Sequence, residues 1–123
     1  MQNLRYVGNN LFVEKLSIKN ILKKNKTPFY IYSESQIAFN FLKFANTFKK
    51  TDPLICFAAK SNSNLNILRV LGKLGAGADV VSGGELLKAL KAGIKPNKIV
   101  FSGVGKTEDC LLYTSDAADD ANC

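Results

Sequence analysis

The sequence contains no histidine. Without an imidazole the 123-residue chain cannot supply the base of a Ser/His or Cys/His nucleophilic pair, or a His ligand to a metal, and no metal site is expected. Long apolar runs are missing as well. None approaches the roughly 18 residues that a membrane span needs, so a transmembrane role is not expected. The opening stretch MQNLRYVGNNLFVEKLSIKN mixes charges with apolar residues and has no signal-peptide core, which argues for a cytoplasmic protein. The three cysteines, Cys56, Cys110 and Cys123, are odd in number and lack the paired spacing of a zinc or redox motif, as suits a reduced compartment. Acids are few, 10 against 17 Lys and Arg, for a net charge of +7. Fifteen of those cations are Lys, scattered without interleaved aromatics. They describe solvated surface better than a nucleic-acid interface, and no nucleic-acid partner is expected.

What is present is a repeat. The β-prone run Phe29 to Tyr32 precedes a helical stretch with Ile37, Phe41, Phe44 and Phe48 on one aromatic face, predicted to be buried. The continuous apolar run Leu54 to Ala59 has the pattern of a parallel strand covered on both sides. A helix with Ile67, Leu71 and Leu74 in a stripe follows and stops at Gly75 and Gly77. Ala78 to Val81 is a third strand, and Ser82-Gly-Gly-Glu85 opens a helix carrying Leu86, Leu87 and Leu90 that closes at Gly93. Lys98 to Ser102 is a fourth strand, and Thr107 starts another helix. Strands beginning near 29, 54, 77 and 98 give a βα repeat and hence a parallel sheet. Residues 1–28 depart from it: Leu4 to Val7 and Leu11 to Glu14 flank Gly8-Asn9-Asn10 as a β-hairpin, with a short helix over Ser17 to Lys24. The expected fold is α/β: about four βα units, part of a (β/α)8 TIM barrel, preceded by an N-terminal β-hairpin. A whole barrel takes ~250 residues, so on this reading the chain is a fragment.

Lys60 follows directly on a buried strand, at the end where barrels carry their catalytic groups. Partial desolvation there favours the neutral amine, which is the form that condenses with a carbonyl. The competing account is one more surface lysine. Asp79 lies within an apolar strand, where a carboxylate needs a cation or donors. It stands about one βα unit after Lys60, so an ionic contact across neighbouring strands and a bond to a loop donor are both open. Glu85 completes the pattern S-x-x-E from Ser82, a capping box whose carboxylate returns to the N-cap amide, while the amides of Gly83 and Gly84 could also meet an anion. Ser102-Gly-Val-Gly-Lys106-Thr107 fails as a phosphate-binding P-loop because Val100 occupies the place of the first glycine. Gly75-Ala-Gly77 fails as a dinucleotide fingerprint because it leads from helix to strand, the reverse of the required order.

Three motifs occur in order: Cys56-Phe-Ala-Ala-Lys60-Ser-Asn62-Ser-Asn64-Leu, Gly77-Ala-Asp79-Val-Val-Ser82-Gly-Gly-Glu85-Leu and Lys98-Ile-Val-Phe-Ser102-Gly-Val-Gly-Lys106-Thr107. With them the chain, over about residues 4–109, resembles the N-terminal part of the diaminopimelate decarboxylases, enzymes of the alanine racemase-like barrel class. Thr27-Pro-Phe-Tyr30-Ile-Tyr-Ser33 resembles the family's first barrel strand. The resemblance implies pyridoxal 5'-phosphate as cofactor, joined to Lys60 through an imine, with Asp79 and Glu85 close to the lysine and ring and Ala58 leaving space beside it. It also implies decarboxylation of meso-2,6-diaminopimelate to L-lysine and CO2, a small amino-acid substrate, and a homodimeric full-length parent. The alternatives are a non-catalytic pyridoxal-phosphate-binding barrel protein, a decarboxylase of another basic amino acid, and a basic nucleotide- or nucleic-acid-binding module.

The resemblance implies three segments: residues 1–28, 29–109 as the first half of the cofactor-binding barrel, and 110–123. The last, Cys110-Leu-Leu-Tyr-Thr-Ser-Asp-Ala-Ala-Asp-Asp120 and its end, departs from the family pattern and resembles a translated sequencing adapter, hence a non-native tail. The isolated chain is expected to be inactive.

Overall fold

The computed structural model describes residues 3–109 together with Leu111 and Leu112. The segment 110–123 singled out in the sequence otherwise lies outside the described residues.

Two three-stranded sheets organise the described residues. The first is an antiparallel meander of β1 (Leu4–Val7), β2 (Asn10–Val13) and β3 (Leu16–Ser17). Gly8, at φ +56°, makes the tight β1–β2 turn, a conformation that a side chain would disfavour. Ser17 then caps the short helix α1 (Ile18–Leu22) by accepting from the Asn20 amide at 3.3 Å. The expected hairpin and helix are both present, with β3 as an additional strand.

Helix α2 (Glu34–Thr47) is capped from within and from afar. Ser33 Oγ accepts from the Gln36 amide at 3.1 Å. The Glu14 carboxylate, carried by the turn after β2, accepts from Ser33 Oγ at 2.6 Å, the Ser35 amide at 3.0 Å and Ser35 Oγ at 2.9 Å. A carboxylate at a helix N-terminus meets both unpaired amides and the positive end of the helix dipole. This clasp fastens the meander to α2. It also holds the Glu14 carboxyl below the usual carboxylate range, through the Ser33 hydroxyl first and the Ser35 amide and hydroxyl next.

The second sheet is parallel, in the order β4 (Cys56–Ala58), β5 (Gly77–Val80), β6 (Ile99–Phe101). Helices α3 (Leu65–Lys73) and α4 (Gly83–Lys91) make the two crossovers. Both pack on the face that presents Ala78 and Val80, where Leu68, Leu86, Ala89 and Ile94 close the core and Ile99 and Phe101 add to it. Burial of Leu68 and Leu86, each essentially free of solvent, contributes ~1.5–3 kcal/mol apiece. A second cluster of Ile67, Leu71 and Ala76 receives Ile37 and Phe41 from α2. Successive strand side chains alternate between faces, so Cys56, Ala58, Gly77, Asp79 and Val100 belong to the opposite side of the sheet.

The expected architecture holds, with four local differences. Phe29 to Tyr32 is not in a ladder, because among the described residues no strand pairs with it. The expected strand 54–59 is paired over Cys56–Ala58, since the chain turns into a 3-10 segment at Ala59–Ser61. The aromatic face of α2 is buried in part: Ile37 and Phe41 reach α3, while Phe44 and Phe48 stay exposed and pack on each other, ring centroids 5.0 Å apart. On α4 the buried stripe is Leu86 and Ala89, and Leu87 is exposed. The helix expected at Thr107 does begin, the Leu111 amide donating to the Thr107 carbonyl at 3.1 Å.

No helix of the described residues is long and apolar enough to cross a membrane.

Candidate functional site

The C-terminal ends of the three parallel strands carry the candidate residues. At β4 the last ladder pair joins Ala58 to Asp79. The chain then enters the 3-10 turn, held by Ser61 Oγ donating to the Ala58 carbonyl at 2.7 Å. Ala59 is drawn wholly into the core, whereas Lys60 stands exposed above it. The partial burial expected of Lys60 is therefore not provided by the described residues, because the turn lifts it past the last paired residue. The same turn packs against β5 and α4, which brings the Lys60 segment beside the elements that carry Asp79 and Glu85. The Asn-rich stretch that follows is structural: Asn62 Oδ1 accepts from the Asn64 amide at 3.1 Å, and Asn64 Oδ1 caps α3 by accepting from the Asn66 amide at 2.9 Å.

Asp79 Oδ1 accepts a hydrogen bond from Ser102 Oγ, just beyond β6. Of the two sources of compensation open to it, the loop donor is the one the structure supplies. Its negative charge also reaches the Cys56 thiol on the same face. Burial, and after it Asp79, pushes that thiol above its ordinary value. Cys56 Sγ lies 3.8 Å from the Lys98 carbonyl oxygen.

Glu85 forms a variant of the expected capping box. Ser82 Oγ accepts from the Glu85 amide at 3.3 Å, but the carboxylate reaches one residue further back and accepts from the Val81 amide at 2.9 Å. The Ser82 backbone at this cap is extended, at φ −149° and ψ 157°. Lys88 on α4 donates to Ser63 Oγ at 2.8 Å, tying the helix to the loop after Lys60.

The sequence reading missed Ser102. Its signal lies in the spacing, since it stands one strand beyond Asp79 at the same end of the sheet, but a serine closing a strand has no special chemistry until its partner is known. The site therefore combines a primary amine, a held carboxylate and small side chains at Ala58 and Gly77 on the face away from the helices. Among the described residues no group of three His, Cys, Asp or Glu is gathered as a metal site would need.

Residues 34–119 match the model of the pyridoxal-dependent decarboxylase pyridoxal-binding domain. The chain belongs to that family. Within the decarboxylases it is 47% identical over 109 residues to the diaminopimelate decarboxylase of Pseudomonas fluorescens, an alignment covering 89% of this chain and 26% of the relative. Its structure is similar to a crystal structure of an Aquifex aeolicus protein, with a TM-score of 0.85 at 46% identity over 94% of this chain and 28% of that one. It is also similar to the M. jannaschii diaminopimelate decarboxylase in complex with L-lysine, with a TM-score of 0.84 at 34% identity and the same coverages. The chain thus spans about a quarter of the length of the decarboxylases it matches. The α/β fold read from the sequence is that of this barrel family.

Proposed function

We propose that this chain is the lysine-bearing part of the cofactor site of a diaminopimelate decarboxylase, which converts meso-2,6-diaminopimelate to L-lysine and CO2. The observation that carries the reading is the position of Lys60, two residues past the Ala58–Asp79 pair at the C-terminal end of a parallel strand. Its support is the family membership and the 47% identity to a relative of that name.

The donor set suits pyridoxal 5'-phosphate. An exposed primary amine can condense with an aldehyde, and a methyl-sized side chain at Ala58 leaves room on the sheet for a flat ring. Bound there, the cofactor supplies the aldehyde and an electron-withdrawing ring that takes up the electron pair left when CO2 departs. Lys60 is the residue that would hold it covalently. Asp79, held by Ser102, stands at the end of β5, the strand paired with the one that leads to Lys60. Glu85 keeps the Val81 backbone in place at the β5–α4 junction and lies with Asp79 at the edge of the ring site. In this reading residues 29–109 form the first half of the barrel and residues 1–28 belong to a separate layer. The parent is a cytoplasmic homodimer taking a small amino acid.

Borohydride reduction of the complete gene product with its cofactor, followed by peptide mapping, tests the reading. Label is expected on Lys60, and Lys60→Ala should lose both the label and CO2 release from diaminopimelate. Label on a different lysine of the wild-type protein overturns it.

A further inference from the structure

We propose that Ser102 is a positioning residue for the decarboxylase: its hydroxyl, donated from the end of β6 to Asp79 in β5, fixes the carboxylate on the helix-free face so that its second oxygen is presented to the Lys60 end of the site. The inference rests on the proposed role of Lys60.

Three observations carry it. Asp79 lies on the face of the sheet opposite Ala78 and Val80, and a carboxylate there can take several side-chain rotamers unless something holds it. Ser102 Oγ engages Oδ1, and among the described residues Oδ2 has no partner. The hydroxyl is itself on a backbone with little freedom. The Ser102 amide donates to the Val80 carbonyl at 3.0 Å, extending the parallel ladder by one step. The next residue, Gly103, lies so close to Val81 that a methyl group there would collide with the Val81 carbonyl oxygen and sit 2.7 Å from its Cα. Val81 is held from the other side by Glu85, through its amide. A continuous chain of contacts, from α4 through Val81 and Gly103 to Ser102, therefore ends on Asp79. Its effect is to remove motion from a charged group before any ligand arrives, and a group so fixed need not be ordered when the amine reacts.

The test uses the complete gene product and reads the rate at which pyridoxal phosphate is captured on Lys60, with the thermal midpoint of the cofactor-free protein as a control on folding. Ser102→Ala is expected to slow capture by about tenfold while the midpoint moves little, and Ser102→Thr, which keeps the hydroxyl, to recover the rate to within about threefold. In an Asp79→Asn background Ser102→Ala should add nothing, since the serine acts through that carboxylate. Gly103→Ala, which keeps the hydroxyl but displaces its backbone, should slow capture as Ser102→Ala does. Capture by Ser102→Ala at the wild-type rate, or an equal loss in the Asp79→Asn background, overturns the role of Ser102 alone. Capture on a lysine other than Lys60 in the wild type sinks the underlying cofactor reading instead.

Discussion

A methyl group added at Gly77 would collide with the Lys98 carbonyl oxygen and lie 2.7 Å from Cys56 Sγ. The glycine lets β4 and β6 approach β5 at the level below Asp79, so its role is in the sheet and not in any loop chemistry. Gly77→Ala should cost about 1–3 kcal/mol, the range of an overpacked core, measurable as a lower urea midpoint. The sequence placed this glycine both at the helix stop, with Gly75, and near the start of the third strand; Gly75, at φ +95°, ends α3 and Gly77 opens β5. Lys60 and Asp79 could be singled out from residue type and spacing, because charge in or beside an apolar strand is costly. Ser102 could not. Its importance lies in a contact with a residue 23 positions earlier, and nothing in a one-dimensional pattern separates it from an ordinary strand-ending serine.

Elements were legible where two signals agreed. α3 has a buried stripe and a terminal glycine, and α4 has its Ser82 cap, Leu86 in the stripe and Gly93 at the end. Where hydrophobicity stood alone, as in Phe29 to Tyr32, a paired strand was expected and the structure has chain outside any ladder, with Tyr30 90% exposed. A β-prone run becomes a strand when a neighbour offers a ladder, and periodicity cannot see the neighbour. The cap of α4 sits at the edge of the proposed site and can be tested by itself. Ser82→Ala removes the acceptor for the Glu85 amide and should lower stability by about 1 kcal/mol, read by thermal unfolding.

Across the whole molecule, one carboxylate links the antiparallel meander to the helix that packs on α3. Glu14 binds the N-terminus of α2, and α2 in turn packs through Ile37 and Phe41 on the cluster around Ile67 and Leu71. The Glu14 carboxyl is lowered from its ordinary value of 4.5, so the folded state prefers it ionised. The stabilisation is complete above about pH 4.5, the value of the unlinked group, and fades as pH falls through the lower folded value. Glu14→Gln should abolish that part of the acid dependence, as followed by circular dichroism against pH. The parallel sheet rests on its ladders and on a buried apolar core, so acid should loosen the meander first. Pepsin, which works in that range, is then expected to sever the chain first around Phe29 and Tyr30, leaving a trimmed remnant built on residues 34–109. In Glu14→Gln the same stretch should become open to thermolysin at neutral pH, so limited digestion would report whether the hairpin is still latched.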